Sequence, residues 1–377
     1  MPAYDAFLLL SFGGPEGQQD VLPFLENVTR GRGVPPERLA EVAEHYRAYD
    51  GVSPINGQCR RLLEAAGTAF AAGGIDLPLY WGNRNWHPFI EDTVRQMSAD
   101  GVTRALAFVT SAYSSYSACR QYLDDIDRAV AAVGPGAPAI EKIRPYFNHP
   151  GFIEPFAASV EAALAGLAPG VQAGARLVFT AHSVPVAMAA SSGSPSTGTA
   201  LPGAVGGRYA AELREAARLI SERVRGGSLP FDLVFQSRSG PPSVPWLEPD
   251  VNDHLAVLAK GTLANGEPLR EGPPSAVVAV PVGFVSDHME VVHDLDVEAA
   301  ETAVSLGLPF ARASAPGLTP RFAQMVRELV AERVSGAEPL ALGGFGPRAY
   351  PAGGVGSCPA DCCRYNQKRP PVTGRSS

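Results

Sequence analysis

The chain has 377 residues, 45% of them apolar and 18% charged, with a formal net charge of −7. At about 100–200 residues per domain this length predicts two compact units with additions, and the acidic balance argues against a polybasic nucleic-acid or membrane-surface protein. No apolar run approaches the ~18 residues that would span a bilayer.

In chain order, the first apolar run, Phe7 to Leu10, follows Asp5 without a basic start. It predicts a strand and not a signal peptide, and with it a cytoplasmic protein. Strands are expected over 6–10, 77–81 and 105–110, then 177–180, 233–235 and 277–282, each followed by a small-polar turn and separated by longer helical patterns. That alternation predicts a parallel α/β architecture. The two series of three strands can be laid side by side. Ser11-Phe12-Gly13-Gly14-Pro15 matches Ala181-His182-Ser183-Val184-Pro185, Gly82-Asn83-Arg84-Asn85 matches Gln236-Ser237-Arg238-Ser239, and Ser114-Ser115-Tyr116 matches Val285-Ser286-Asp287. A tandem pair of similar α/β domains follows. In open parallel sheets, ligand-binding residues gather past the carboxyl ends of the strands, so facing domains would line a cleft with these turns. Neither GxGxxG nor GxxxxGK[ST] occurs, so no nucleotide cofactor is indicated.

Residues 183–207 carry no charge and are rich in Ser, Gly, Ala and Pro. They read as a flexible insertion, either a lid or slack. Residues 320–334 predict a helix with Thr319 as N-cap and Pro320 at its first position. Beyond it the periodicity stops. Of five cysteines, Cys358, Cys362 and Cys363 fall in this tail, while Cys59 and Cys119 stand alone, a poor disulfide framework that favours metal binding or free thiols.

The strongest chemical pattern is Glu290, Asp294 and Glu298. On an α-helix the spacing i, i+4, i+8 displaces each by only ~40° from the last, so all three share a face. Such a ladder can attract a hard divalent cation through oxygen ligands; a solvated acidic helix start explains Glu290 equally well but Glu298 less well. His288 and His293 lack HExxH spacing; His293 is expected to be exposed, and His288 stays open. His182 ends a strand beside the same cleft, where a neutral imidazole can take a proton or bind a metal. Arg30 and Arg32 flank a glycine and Arg84 follows the second strand. Together they can hold carboxylates.

The motifs Leu10-Ser11-Phe12-Gly13-Gly14-Pro15, Gly51-Val52-Ser53-Pro54-Ile55, Ala181-His182-Ser183-Val184-Pro185, Gln236-Ser237-Arg238-Ser239-Gly240, Pro245-Trp246-Leu247 and Pro281-Val282-Gly283-Phe284-Val285-Ser286-Asp287-His288-Met289-Glu290 occur in order. Over about residues 4–335 the chain resembles ferrochelatases, which insert ferrous iron into a porphyrin. Its Gly82-Asn83-Arg84-Asn85-Trp86 segment and cysteine-bearing tail are most similar to the actinobacterial branch. The resemblance implies two Rossmann-like domains, 1–167 with a returning helix 319–335 and 168–318, plus a tail 336–377, with the porphyrin between the domains. It implies His182 and Glu290 as the catalytic pair and metal site. It places a second divalent ion such as Mg2+ at Asp294 and Glu298. Arg30, Ser53 and Ser115 match porphyrin-propionate contacts, and Arg84 a basic position at the cleft. Phe12 stands where many bacterial relatives carry tyrosine, so a tyrosine oxygen cannot serve as axial ligand. Expelling the pyrrole protons needs a base and a carboxylate to offset charge, and a closed cleft favours a distorted macrocycle.

Actinobacterial relatives resemble coproporphyrin III enzymes, which implies iron insertion into a substrate with twice the propionates of protoporphyrin, a coprohaem product and a coprohaem decarboxylase as acceptor. A monomer is expected. Protoporphyrin IX ferrochelatase, a cobalt chelatase and a non-catalytic porphyrin or iron carrier are the alternatives. Three tail cysteines are one short of the four ligands of a usual 2Fe-2S cluster. Some ferrochelatases complete such a set with an internal residue, here Cys119 ahead of Cys59; unliganded thiols or a zinc site is the competing reading.

Overall fold

The computed structural model describes residues 4–31, 33–201, 203–240, 243–263, 265–346 and 358–365. Arg32 lies outside them. The first half is a parallel sheet of β1 (Ala6–Ser11), β2 (Leu79–Asn83), β3 (Arg104–Val109) and β4 (Ala139–Lys142) in the order β2-β1-β3-β4. The second repeats it with β5 (Ala175–His182), β6 (Phe231–Gln236), β7 (Ala276–Val280) and β8 (Phe310–Arg312) in the order β6-β5-β7-β8. The α/β class is therefore as the alternation predicts. Each half also has a fourth strand, β4 or β8, that periodicity did not reveal.

All six residues of β1 are buried, because helices cover both faces of a parallel sheet and remove the alternation an open sheet would show. Phe7 and Leu9 pack with Phe70 and Phe108 on one face, while Leu8 and Leu10 pack with Val94, Met97 and Ile126 on the other. Leu177 and Phe179 of β5 join the same core as Phe7, so one apolar body runs through both halves. The helix Pro150–Gly166 lies against β7, β8 and the helix Gly207–Ser221. The helix Pro320–Val334 packs on the helix Pro54–Ala72 of the first half. Thr319 caps it by accepting from the Phe322 N–H, as predicted. A buried ion pair, Arg144 to Glu332 at 2.7 Å, fastens its last turn.

Polar contacts join the strand ends of the two halves. Gln58 exchanges two hydrogen bonds of 3.1 Å with the backbone of Asp287, and the Tyr113 hydroxyl donates to the Val282 carbonyl at 2.8 Å. Ser114 gives both its N–H and its hydroxyl to Glu212, which is fully buried and also accepts from Arg208 at 2.7 Å. A buried carboxylate needs this many donors.

Residues 183–207 are not slack. The short helix Val186–Ala190 and a turn with fully buried Ser192 and Ser194 form a dock for the tail. Ser194 and Ser196 hold the Asp361 carboxylate, and Gly193 exchanges backbone and sulfur hydrogen bonds with Cys363. Small, uncharged residues are what such close packing requires, and composition alone reads them as flexible.

Candidate functional site

His182 is the last residue of β5, and its side chain is 34% exposed at the carboxyl edge of the second sheet. Its Nδ1 lies 2.5 Å from the Ser183 carbonyl and donates to it, which leaves Nε2 as the ring nitrogen free of that contact. That Nε2 faces Glu290 Oε2 at 3.7 Å. The Tyr209 hydroxyl donates to the His182 carbonyl at 3.0 Å and fixes the strand end. Sequence reasoning missed Tyr209, which lies 27 residues away in a helix.

Glu290 opens the helix that leaves the turn after β7. His288 caps that helix, its Nδ1 accepting from the Glu290 N–H at 3.2 Å, which answers the open question about this histidine. Burial, against the pull of Glu290, lowers the His288 pKa and favours the neutral acceptor form this cap requires.

Behind Glu290 the chain is a π-helix, Val292–Ala299, instead of the α-helix assumed from the spacing. The wider turn brings positions i and i+5 together. His293 Nε2 accordingly lies 3.4 Å from Glu298 Oε1, and its ring stacks on His45 with centroids 3.9 Å apart. The expectation that His293 is exposed is thus corrected, since its side chain is mostly covered. Asp294 sits between the other two carboxylates. Ser237, in the left-handed backbone region at φ 60°, donates its hydroxyl to Asp294, and Gln236 adds a hydrogen bond at 3.2 Å. Burial foremost, with the charges of Glu290 and Glu298, pushes the Asp294 pKa up to about 7 against those hydrogen bonds. This carboxyl can hold or release a proton near neutrality. Tyr46 of the first half is buried close to Glu290 and Asp294, and burial drives its hydroxyl pKa far up.

The first half presents a different surface. Phe12 is 36% exposed and meets Phe24 edge-on. Gly13 takes φ +81°, and a Cβ on Gly14 would stand 2.6 Å from Ser53 Cβ. Ser53 is itself buried against this turn. Arg30 is exposed at the end of the helix Gln18–Thr29 and makes no ion pair among the described residues. Ser115 is fully buried and accepts from the Ala118 N–H as the cap of a second π-helix, Tyr116–Arg120. Arg84 is not an open cleft charge in this conformation. Its side chain is paired with Asp125 at 2.5 Å and lies over the Tyr122 ring, because a buried guanidinium must find its carboxylate inside.

The sulfurs gather elsewhere. Cys119, Cys358, Cys362 and Cys363 are close enough to interact electrostatically, and Cys362 Sγ lies 3.7 Å from Cys363 Sγ. Cys363 has φ 52°, a backbone state uncommon outside glycine, which lets two adjacent residues turn both sulfurs to one side. Cys59 is apart from this group, buried in the core, where burial raises its thiol pKa to about 11. Four thiols gathered here equal in number the ligands of a 2Fe-2S cluster. Among the described residues no group of three or more His, Cys, Asp or Glu is arranged to hold a metal ion as it stands; the sulfurs form a string of contacts and not one closed shell.

A family model described as Ferrochelatase matches residues 4–334. A Nocardia farcinica protein named coproporphyrin III ferrochelatase is 52% identical over 373 residues, covering 99% of this chain and all of that one. One of the same name from Streptomyces griseus is 49% identical, and a Rhodopirellula baltica protein named ferrochelatase is 50% identical; each alignment covers 99% of this chain and 97% of the relative.

Proposed function

This chain belongs to the ferrochelatase family, and from that premise we propose that it inserts Fe2+ into coproporphyrin III at His182 and Glu290. The reaction replaces two pyrrole protons by one ferrous ion, so the site must take up two protons. One observation carries the reading: His182 Nε2 stands 3.7 Å from Glu290 Oε2 at the carboxyl edge of the second sheet. The imidazole accepts a proton, the carboxylate offsets the charge that results, and Asp294 behind them can receive a proton near neutral pH. A second ion such as Mg2+ at Asp294 and Glu298 is supported by their carboxylates standing one turn apart behind Glu290.

Coproporphyrin III is favoured over protoporphyrin IX by the names of the Nocardia and Streptomyces relatives. We take Phe12, Arg30, Ser53, Arg84 and Ser115 as the first-half side of the porphyrin site. Arg30, exposed at the end of its helix, is the one free to meet a propionate without rearrangement. Coprohaem still needs decarboxylation, so a coprohaem decarboxylase fits as acceptor, with the chain acting as a cytoplasmic monomer; no helix among the described residues is long and apolar enough to cross a membrane. We further read Cys119, Cys358, Cys362 and Cys363 as ligands of a 2Fe-2S cluster, which when bound supplies a one-electron centre and a crosslink.

The test is anaerobic Fe2+ insertion with coproporphyrin III and protoporphyrin IX in parallel. His182→Ala and Glu290→Gln are expected to lower turnover by at least about 10²-fold each; rates near wild type in both would overturn the assignment. Visible absorption of anaerobically purified protein, lost in Cys362→Ser, tests the cluster.

A further inference from the structure

The helix Gly207–Ser221 carries two polar side chains that reach the site from behind. Tyr209 and Glu212 stand three residues apart and so share one helix face. The Tyr209 hydroxyl donates to the His182 carbonyl at 3.0 Å, while its N–H donates to the Ser192 hydroxyl at 2.9 Å. Glu212 is fully buried, and its two oxygens accept the Ser114 N–H at 2.7 Å, the Ser114 hydroxyl at 2.9 Å and Arg208 Nε at 2.7 Å. Arg208 is held in turn by the Thr199 carbonyl, to which it donates at 2.8 Å. Ser114 directly precedes Ser115 in the segment after β3. Tyr113, one residue earlier, meets the Tyr209 ring edge-on with centroids 6.3 Å apart and donates to Val282, in the turn that leads to Glu290.

We propose that Tyr209 and Glu212 are positioning residues for iron insertion. Tyr209 sets the place of His182, Glu212 sets the place of Ser115 through Ser114, and the one helix face that bears both fixes the distance between the proton acceptor and the propionate contact. The inference rests on the reading of His182 and Ser115 given above and adds two residues that act through them. A buried carboxylate is a costly way to hold two halves together, since apolar side chains of the same volume often serve stability as well or better. What it supplies is geometry, because three converging hydrogen bonds fix where Ser114 stands. A porphyrin is a stiff plate, so once a propionate is held, the place of its centre beside the imidazole follows from that distance. A misplacement of about 1 Å can cost about 10²-fold in rate.

The experiment compares the full chain with its Tyr209→Phe, Ser114→Ala and Glu212→Gln variants. Readouts are anaerobic Fe2+ insertion into coproporphyrin III and iron-free coproporphyrin III binding by fluorescence quenching. Tyr209→Phe removes only the hydroxyl that holds His182, and kcat is expected to fall about tenfold with KM and porphyrin affinity within about twofold of wild type. Ser114→Ala removes one donor to Glu212, and KM and the porphyrin Kd are expected to rise about fivefold with kcat within about twofold. Glu212→Gln should act in the same direction as Ser114→Ala and more strongly; where it fails to fold, Ser114→Ala decides. A merely structural role would leave both constants unchanged, or move kcat and KM together in both Tyr209→Phe and Ser114→Ala, and either result overturns the proposal. If wild type inserts no iron, the function reading fails, and porphyrin affinity then judges the positioning alone. Weaker binding in Ser114→Ala than in Tyr209→Phe supports it, and equal binding overturns it.

Discussion

The two halves share one strand order, and the equivalent turns after β1 and β5 place Phe12 and His182 at matching positions. Past β1 the turn is aromatic and glycine-rich, pressed so closely on Ser53 that a Cβ at Gly14 has no room. Past β5 it offers an imidazole, and past β7 a carboxylate 3.7 Å away. One scaffold, used twice, thus supplies a shaped wall on one side and titratable groups on the other. Strand ends fix where side chains stand in such sheets, and the turn residues decide what each half can do.

Exchanging the character of the matched positions tests that contrast most sharply. His182→Ala is expected to cost at least about 10²-fold in iron insertion, whereas Phe12→Ala, which removes surface and no proton acceptor, should cost under about tenfold; equal losses in a continuous anaerobic assay would break the contrast.

Next in size is an anchor within the second half. Asp232 of β6 binds Arg176 and His254 at 2.5 and 2.9 Å, and these partners, against burial, hold its pKa down at about 2. A carboxyl with a lowered folded-state pKa contributes stability above its unfolded value near 4, and that contribution is lost as pH falls toward 2. Asp232→Asn should lower stability by about 2–3 kcal/mol at pH 7 in denaturant titrations and by much less at pH 3. The matching polar tie of the first half, Asp5 to Thr103 and Arg104, is exposed, and Asp5→Asn should cost under about 1 kcal/mol.

Asp294 runs with the opposite sign. Its folded-state pKa is raised to about 7, so the folded protein binds the extra proton between about pH 4 and 7 and loses stability as pH rises through that window. Asp294→Asn should therefore raise the melting temperature at pH 8, by the equivalent of about 1–3 kcal/mol, with the gain vanishing near pH 4. A gain independent of pH would remove the proton-holding role. The smallest effect is expected for Phe12→Tyr, which adds one oxygen to an exposed ring and should change stability by less than about 0.5 kcal/mol and iron insertion by less than about threefold.

Six strands and their turns were legible because buried parallel strands read as continuous apolar runs. β4 and β8 were not. They are short strands of four and three residues, and Glu141, Lys142 and Arg312 within them break up the apolar run. The Glu290, Asp294 and Glu298 pattern marked the acidic element, yet over eight residues it cannot distinguish an α-turn from a π-turn, which is why His293 was misread as exposed. Arg84 read as a cleft charge because nothing local reveals that Asp125, 41 residues on, reaches it. Tyr209 and Gln58 stayed invisible for the same reason, since their partners are supplied by the fold and not by their neighbours.

The tail dock also fixes an order of assembly. Its contacts join residues 240 positions apart at Arg120 and Ala360, and 170 apart at Gly193 and Cys363. Closing loops of that length cannot precede the surfaces that reward closure. The tail therefore docks after the surfaces that receive it have formed. Hydrogen exchange at the Cys363 amide, bonded to Gly193 O, should run ahead of global unfolding, so that the tail can undock while the two sheets stay folded.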